Sequence, residues 1–99
     1  MPFAITNNTK KQRYEARVDG GLAYIDYHRH EQRVTFSHTE VPLEAEGKGV
    51  GAALAKFAFE DARQQKLDVF PICPYLVAWL KRHREYLDVV AREHREQFD

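Results

Sequence analysis

The sequence predicts an α+β fold: an antiparallel meander, one right-handed strand-helix-strand crossover and a second helix. Three observations predict it. Across residues 13–41, apolar and polar residues alternate in three short runs parted by turn residues, the period of strands with one buried face. Glycines at 47, 49 and 51 then open an alanine-rich stretch whose apolar residues recur at helical spacing. Residues 67–72 form an apolar run too short for a helix, so strand, helix and strand follow one another as a crossover between parallel neighbours.

Residues 1–99 are expected to make a single domain. Its first twelve residues are polar, with Asn7-Asn8-Thr9 and Lys10-Lys11, and suit a loosely held segment with a short edge strand at residues 4–6. In residues 13–18, Tyr14, Ala16 and Val18 share one face and the charges the other. Asp19-Gly20-Gly21 is a strong hairpin turn. Residues 22–28 return as a second strand rich in tyrosine and isoleucine, His30-Glu31-Gln32 turns again, and residues 33–41 give a third strand with Val34 and Phe36 inward. Pro42 cannot donate to a ladder and ends it. From Val50 to about Gln65 runs a helix, with Val50, Leu54, Phe57, Ala58 and Ala62 on its core face. Residues 67–72 are too apolar to be half exposed and are expected to form a central strand. Pro74 suits the start of a second helix over residues 75–83, on which Trp79 covers the sheet. Residues 86–90 are apolar enough to pack back, and residues 91–99 are expected to form an exposed charged helix or tail.

Bulk composition sets limits on function. Fifteen basic and fifteen acidic residues leave no net field to draw the chain onto nucleic acid or a membrane. The polar exterior suits a monomer or weak dimer. Cys73 is the sole cysteine, which excludes an internal disulfide and fits a reducing compartment. Residues 1–12 carry no apolar core of a secretory signal, and no stretch approaches a membrane span, so a cytoplasmic protein is expected.

The chemistry centres on residues 44–54, Glu-Ala-Glu-Gly-Lys-Gly-Val-Gly-Ala-Ala-Leu. Glycine admits ligand atoms close to the backbone. A helix opening there aims unpaired N–H groups outward from the positive end of its dipole, a seat for phosphate or pyrophosphate. The plainer alternative is a tight turn in which glycine only lets the helix pack closely. A Walker A loop would need lysine and then serine or threonine after its last glycine; Gly51-Ala52-Ala53 has neither. Gly47, Gly49 and Ala52 satisfy a dinucleotide fingerprint, but residues 42–46 separate strand from helix and the chain has room for only one crossover. Ligands collect beyond the carboxyl ends of parallel strands. A ligand held by Gly47, Lys48, Gly49, Val50, Gly51 and Ala52 would therefore extend toward Cys73, at the end of the other parallel strand.

Four motifs together carry a family resemblance: His38-Thr-Glu-Val-Pro42, Glu46-Gly-Lys-Gly-Val-Gly51, Pro71-Ile-Cys-Pro-Tyr75 and His83-Arg-Glu-Tyr86. They resemble the small single-domain members of the GNAT superfamily, acetyl-CoA-dependent N-acetyltransferases, over residues 14–90. The resemblance implies a minimal GNAT-like fold, acetyl-CoA as cofactor, and an amine acceptor, small molecule or protein. The family motif is Gln or Arg, two residues, Gly, one residue, then Gly or Ala. Here Glu46 takes the first place and Gly49 and Gly51 the others. The resemblance also implies that the third and fourth core strands splay, with the pantetheine arm along Val41. Arg82 falls where larger members carry a tyrosine that protonates the leaving thiolate, whereas the small members share the Cys-Pro-aromatic motif.

Candidate catalytic groups follow. Cys73 is either an acid to the coenzyme thiolate, an acyl-accepting nucleophile, or a buried structural residue. His38, placed by alternation on the face of Val34 and Phe36, is a candidate base for the amine, and Glu40 competes with it. Lys48 suits a phosphate as a point charge. Lys81, Arg82 and His83 lie in the one dense basic cluster, suited to the coenzyme's remaining phosphate or to a solvated helix end. His28 and His30 lack further ligands at useful spacing, so no metal is expected. Direct transfer to an amine is the expected function, and a coenzyme-binding module without efficient turnover is the alternative.

Overall fold

The computed structural model describes residues 3–98. Five strands, β1 (Ile5–Asn8), β2 (Arg13–Val18), β3 (Gly21–His30), β4 (Arg33–Glu40) and β5 (Asp68–Pro71), form one sheet in the order β1-β2-β3-β4-β5. The first four are antiparallel neighbours, and β5 runs parallel to β4. Between β4 and β5 come a short 3-10 turn, Leu43–Ala45, and helix α1 (Val50–Gln64); helix α2 (Pro74–Arg82) follows β5.

Alternation sets which face is buried. Tyr14 and Ala16 of β2, Ala23 and Ile25 of β3, Val34 and Phe36 of β4 and Val69 of β5 all turn inward. Against them α1 sets Val50, Leu54, Ala55, Ala58, Phe59 and Ala62, and α2 sets Leu76, Trp79 and Leu80. Phe59 joins the layers, edge-on to Phe36 and stacked on Trp79 at 5.5 Å. The helical stripe is a little rotated from its expected place: Phe57 is half-buried while Ala55 and Phe59 are buried.

Three expectations need correction. The edge strand lies at Ile5–Asn8 instead of residues 4–6, and it is tied down: Tyr27 donates to Asn7 at 2.6 Å and Asn8 donates to Glu15. Met1 and Pro2 of that segment, and Asp99 of the tail, lie outside the described residues. The β5 strand is an edge strand instead of a central one. Its apolar character has another cause: Val90 bridges Val69 on the open side, and the Ala91 N–H donates to the Val69 carbonyl at 2.8 Å. The charged tail forms a 3-10 helix over Arg92–Phe98, with Phe98 buried and its carbonyl accepting from Arg84.

Candidate functional site

Pairing between β4 and β5 stops early. The ladder runs from Arg33↔Asp68 to Phe36↔Pro71, and both the Ile72 and Cys73 N–H groups then turn to the Phe36 carbonyl at 3.1 Å. Beyond Phe36, β4 runs on for four residues while β5 gives way to α2. Pro74 forces that departure, because it starts a helix and cannot continue a ladder. The strands splay, and their divergence opens a cleft of about 610 Å³, a volume usual for ligand sites.

Thr39, Glu40 and Val41 form one wall of this cleft, Ala45, Glu46, Gly47, Gly49, Val50, Gly51 and Ala52 the floor, and Tyr75 the far side. Gly47 and Gly49 take φ of 81° and 89°, the left-handed region that glycine enters without penalty. Gly49 is the N-cap of α1 and its carbonyl accepts the first helical bond, from Ala53. Among the described residues, the N–H groups of Gly47, Gly49, Val50, Gly51 and Ala52 have no acceptor. They sit at the positive end of a fifteen-residue helix, which favours an anion there. Gly51 also has a packing reason: a Cβ at that position would lie 2.5 Å from the Tyr75 hydroxyl. Burial raises the Tyr75 pKa, the nearby Arg82 charge lowers it and Cys73 raises it further; the net direction is upward, so the phenol stays a donor.

The predicted residues divide. Glu40, Val41, Gly47, Gly49, Val50, Gly51 and Ala52 come together in the cleft. Lys48 turns away, its Nζ 3.0 Å from the Asp19 carboxylate of the β2–β3 turn. His38 is a correction. The register shifts opposite Asp26 and Tyr27, so that His38 pairs with Asp26 but Phe36 pairs with Tyr27. This bulge inserts Ser37 and reverses the alternation. His38 consequently lies on the outer face, beside Tyr24 and 3.0 Å from Glu40. Thr39, paired with the buried Ile25, turns inward in its place. Cys73 is 4 % exposed and is not on the cleft wall; its Sγ lies 3.4 Å from the Thr39 hydroxyl.

A second cavity of about 350 Å³ adjoins the first through Ala52 and is lined also by Lys56, Trp79, His83 and Tyr86. His83 stacks on Trp79 at 4.2 Å. Lys81 and Arg82 lie exposed on the last turn of α2 and line neither cavity.

The sequence model of the GCN5-related N-acetyl-transferase family matches residues 13–89. The chain belongs to that family. A GCN5-like protein from Staphylococcus aureus, whose solution structure was determined by NMR, is 26 % identical over 92 % of this chain and 91 % of that one, with a TM-score of 0.67. No curated protein matches the chain. Among the described residues, no helix is long and apolar enough to cross a membrane, and no group of three His, Cys, Asp or Glu could hold a metal.

The residues of this GCN5-related chain fit an elongated anionic coenzyme on two observations. One is the row of N–H groups at residues 47 and 49–52 that have no acceptor at the start of α1. The other is the Trp79 indole N–H, which is buried without a hydrogen-bond partner beside the second cavity, a costly state unless a ligand or water accepts from it. Sequence reasoning gave no role to Tyr75, Thr39 or Lys56. Tyr75 stood in a quoted motif, and Lys56 is one helical turn after Ala52, so both had a signal. Thr39 had none, because its inward turn depends on the bulge.

Proposed function

We propose that the protein is an acetyl-CoA-dependent N-acetyltransferase that passes the acetyl group directly to an amine. The row of unpaired N–H groups at the start of α1, within a cleft that ends at the β4–β5 splay, carries this reading. Bound acetyl-CoA supplies a thioester carbonyl for the amine to attack and a thiolate to leave.

The chain's own groups then have distinct tasks. The N–H groups of residues 47–52 hold the diphosphate, and the Tyr75 hydroxyl, kept protonated, adds a donor from the facing helix. Lys56 and His83 receive the nucleotide end in the adjoining cavity. The β4 edge at Val41, free of a parallel neighbour, aligns the pantetheine amides as an added strand would. Glu40 lines the cleft at the end of β4 and takes the proton that the amine loses. Holding both reactants at one splay contributes chiefly through proximity.

Glu40 and Glu46 favour the second reading, a coenzyme-binding module with weak turnover. Both carboxylates line the cleft, and its walls include no cation. Calorimetry with acetyl-CoA, paired with an amine screen that follows CoA release, decides between them. Binding with release on addition of an amine supports the transferase. Binding without release on any amine supports the module, and a flat titration rejects both.

A further inference from the structure

We propose that the Thr39 hydroxyl is the proton relay between the buried Cys73 thiol and the cleft. The inference rests on the acetyltransferase reading and adds to it a residue that neither motif nor spacing marks. Three observations meet at this position. The bulge at Ser37 turns Thr39 inward, opposite Ile25. Its Oγ1 lies within hydrogen-bond distance of Cys73 Sγ, at 3.4 Å. Thr39 lines the cleft whereas Cys73, 4 % exposed, does not. A proton leaving the thiol can therefore reach the cleft through this hydroxyl, its hydrogen-bonded neighbour.

A hydroxyl suits the task because it donates one proton and accepts another in the same movement. When the C–S bond of the thioester breaks, its electron pair stays on sulfur. Thr39 then gives its O–H proton to that sulfur, and its oxygen takes the proton of the Cys73 thiol. The products are the coenzyme thiol, an intact Thr39 hydroxyl and a Cys73 thiolate. The amine proton, released through Glu40 to solvent, balances the one that Cys73 regains through the same hydroxyl after product departs. No oxidant, metal or covalent acetyl-cysteine is required.

Thr39→Val tests this, since valine keeps the shape and removes only the hydroxyl. Expected are a loss in kcat of at least about tenfold with KM for acetyl-CoA within about twofold, and recovery of most of the rate in Thr39→Ser. The double variant with Cys73→Ala should lose no more than the worse single variant, because both act on one proton. A second readout needs no turnover. In the ligand-free protein, iodoacetamide should alkylate Cys73 at least about fivefold more slowly in Thr39→Val, because the thiolate loses a charge-assisted bond. If Thr39→Val folds poorly, Thr39→Ala carries the same two comparisons. An unchanged kcat, an unchanged alkylation rate, or a double variant whose loss is the product of the singles overturns the relay while leaving the transferase standing. A wild-type protein that releases CoA with no amine ends the transferase reading and the relay with it.

Discussion

Gly51 and Tyr75 act as a pair. Replacing Gly51 by alanine gives α1 a better helix former, worth up to about 1 kcal/mol, but sets a Cβ against the Tyr75 hydroxyl. The phenol is partly exposed and swings aside, so thermal stability should hardly move. Acetyl-CoA affinity should fall by about fivefold or more, since one donor leaves and a methyl enters where the backbone must be approached. Calorimetry on Gly51→Ala in wild-type and Tyr75→Phe backgrounds checks this; the effect should shrink in the second, where the colliding oxygen is already gone. Glu46 acts by charge alone. It is exposed on the cleft floor, where a diphosphate would meet it through water. Glu46→Gln should therefore tighten acetyl-CoA binding about threefold at low salt, and the gain should fade near 1 M salt, where exposed charges are screened beyond a few ångströms. A gain that persists at high salt would mean a direct contact instead.

Most elements were legible because their cause is local. Alternation marks β2 to β4, Asp19-Gly20-Gly21 marks the hairpin, and the glycine-opened stripe marks α1, each within a residue or two of where it lies. What stayed hidden has non-local causes. The bulge at Ser37 depends on how β3 and β4 meet, and it moved His38 out of the candidate site and Thr39 into it. The edge position of β5 was hidden for the same reason, since a run covered by Val90 and residues 92–98 looks as apolar as one between two strands. That covering makes the tail part of the sheet's stability. Phe98 is only 3 % exposed, and Phe98→Ala should cost about 3 kcal/mol, lowering the melting temperature by about 10 °C or more in a chain of this size. A melting temperature within a degree or two of wild type would show that the tail does not hold the β5 edge.

At the scale of the whole molecule, α1 is gripped in its C-terminal third. Its N-terminus opens the cleft, while near its C-terminus Asp61 accepts from Tyr14 at 2.7 Å and from Gln65 at 2.7 Å. One residue before it, Glu60 accepts from Tyr86 at 2.6 Å, tying the helix to the segment after α2. A helix fixed this way presents its first N–H groups in one arrangement, which is what a pre-formed anion site requires. The tethers also set how the fold responds to base. Burial, then the bond to Glu60, push the Tyr86 phenol up to about 12, and burial with the Asp61 bond raises Tyr14 beyond the usual tyrosine range. In the unfolded chain both ionise near pH 10. Below that pH the folded and unfolded states hold the same protons, and these bonds contribute in full. Between about 10 and 12 the unfolded chain releases protons that the folded one keeps, so stability falls as pH rises through that window. Thermal melts should therefore be level up to about pH 9.5 and fall steeply above pH 10. Tyr86→Phe should begin lower, having lost its bond to Glu60, and should descend less steeply, converging on wild type toward pH 12. Parallel curves for the two proteins would mean that Tyr86 titrates as freely in the fold as in the unfolded chain, and that its bond to Glu60 does not hold α1.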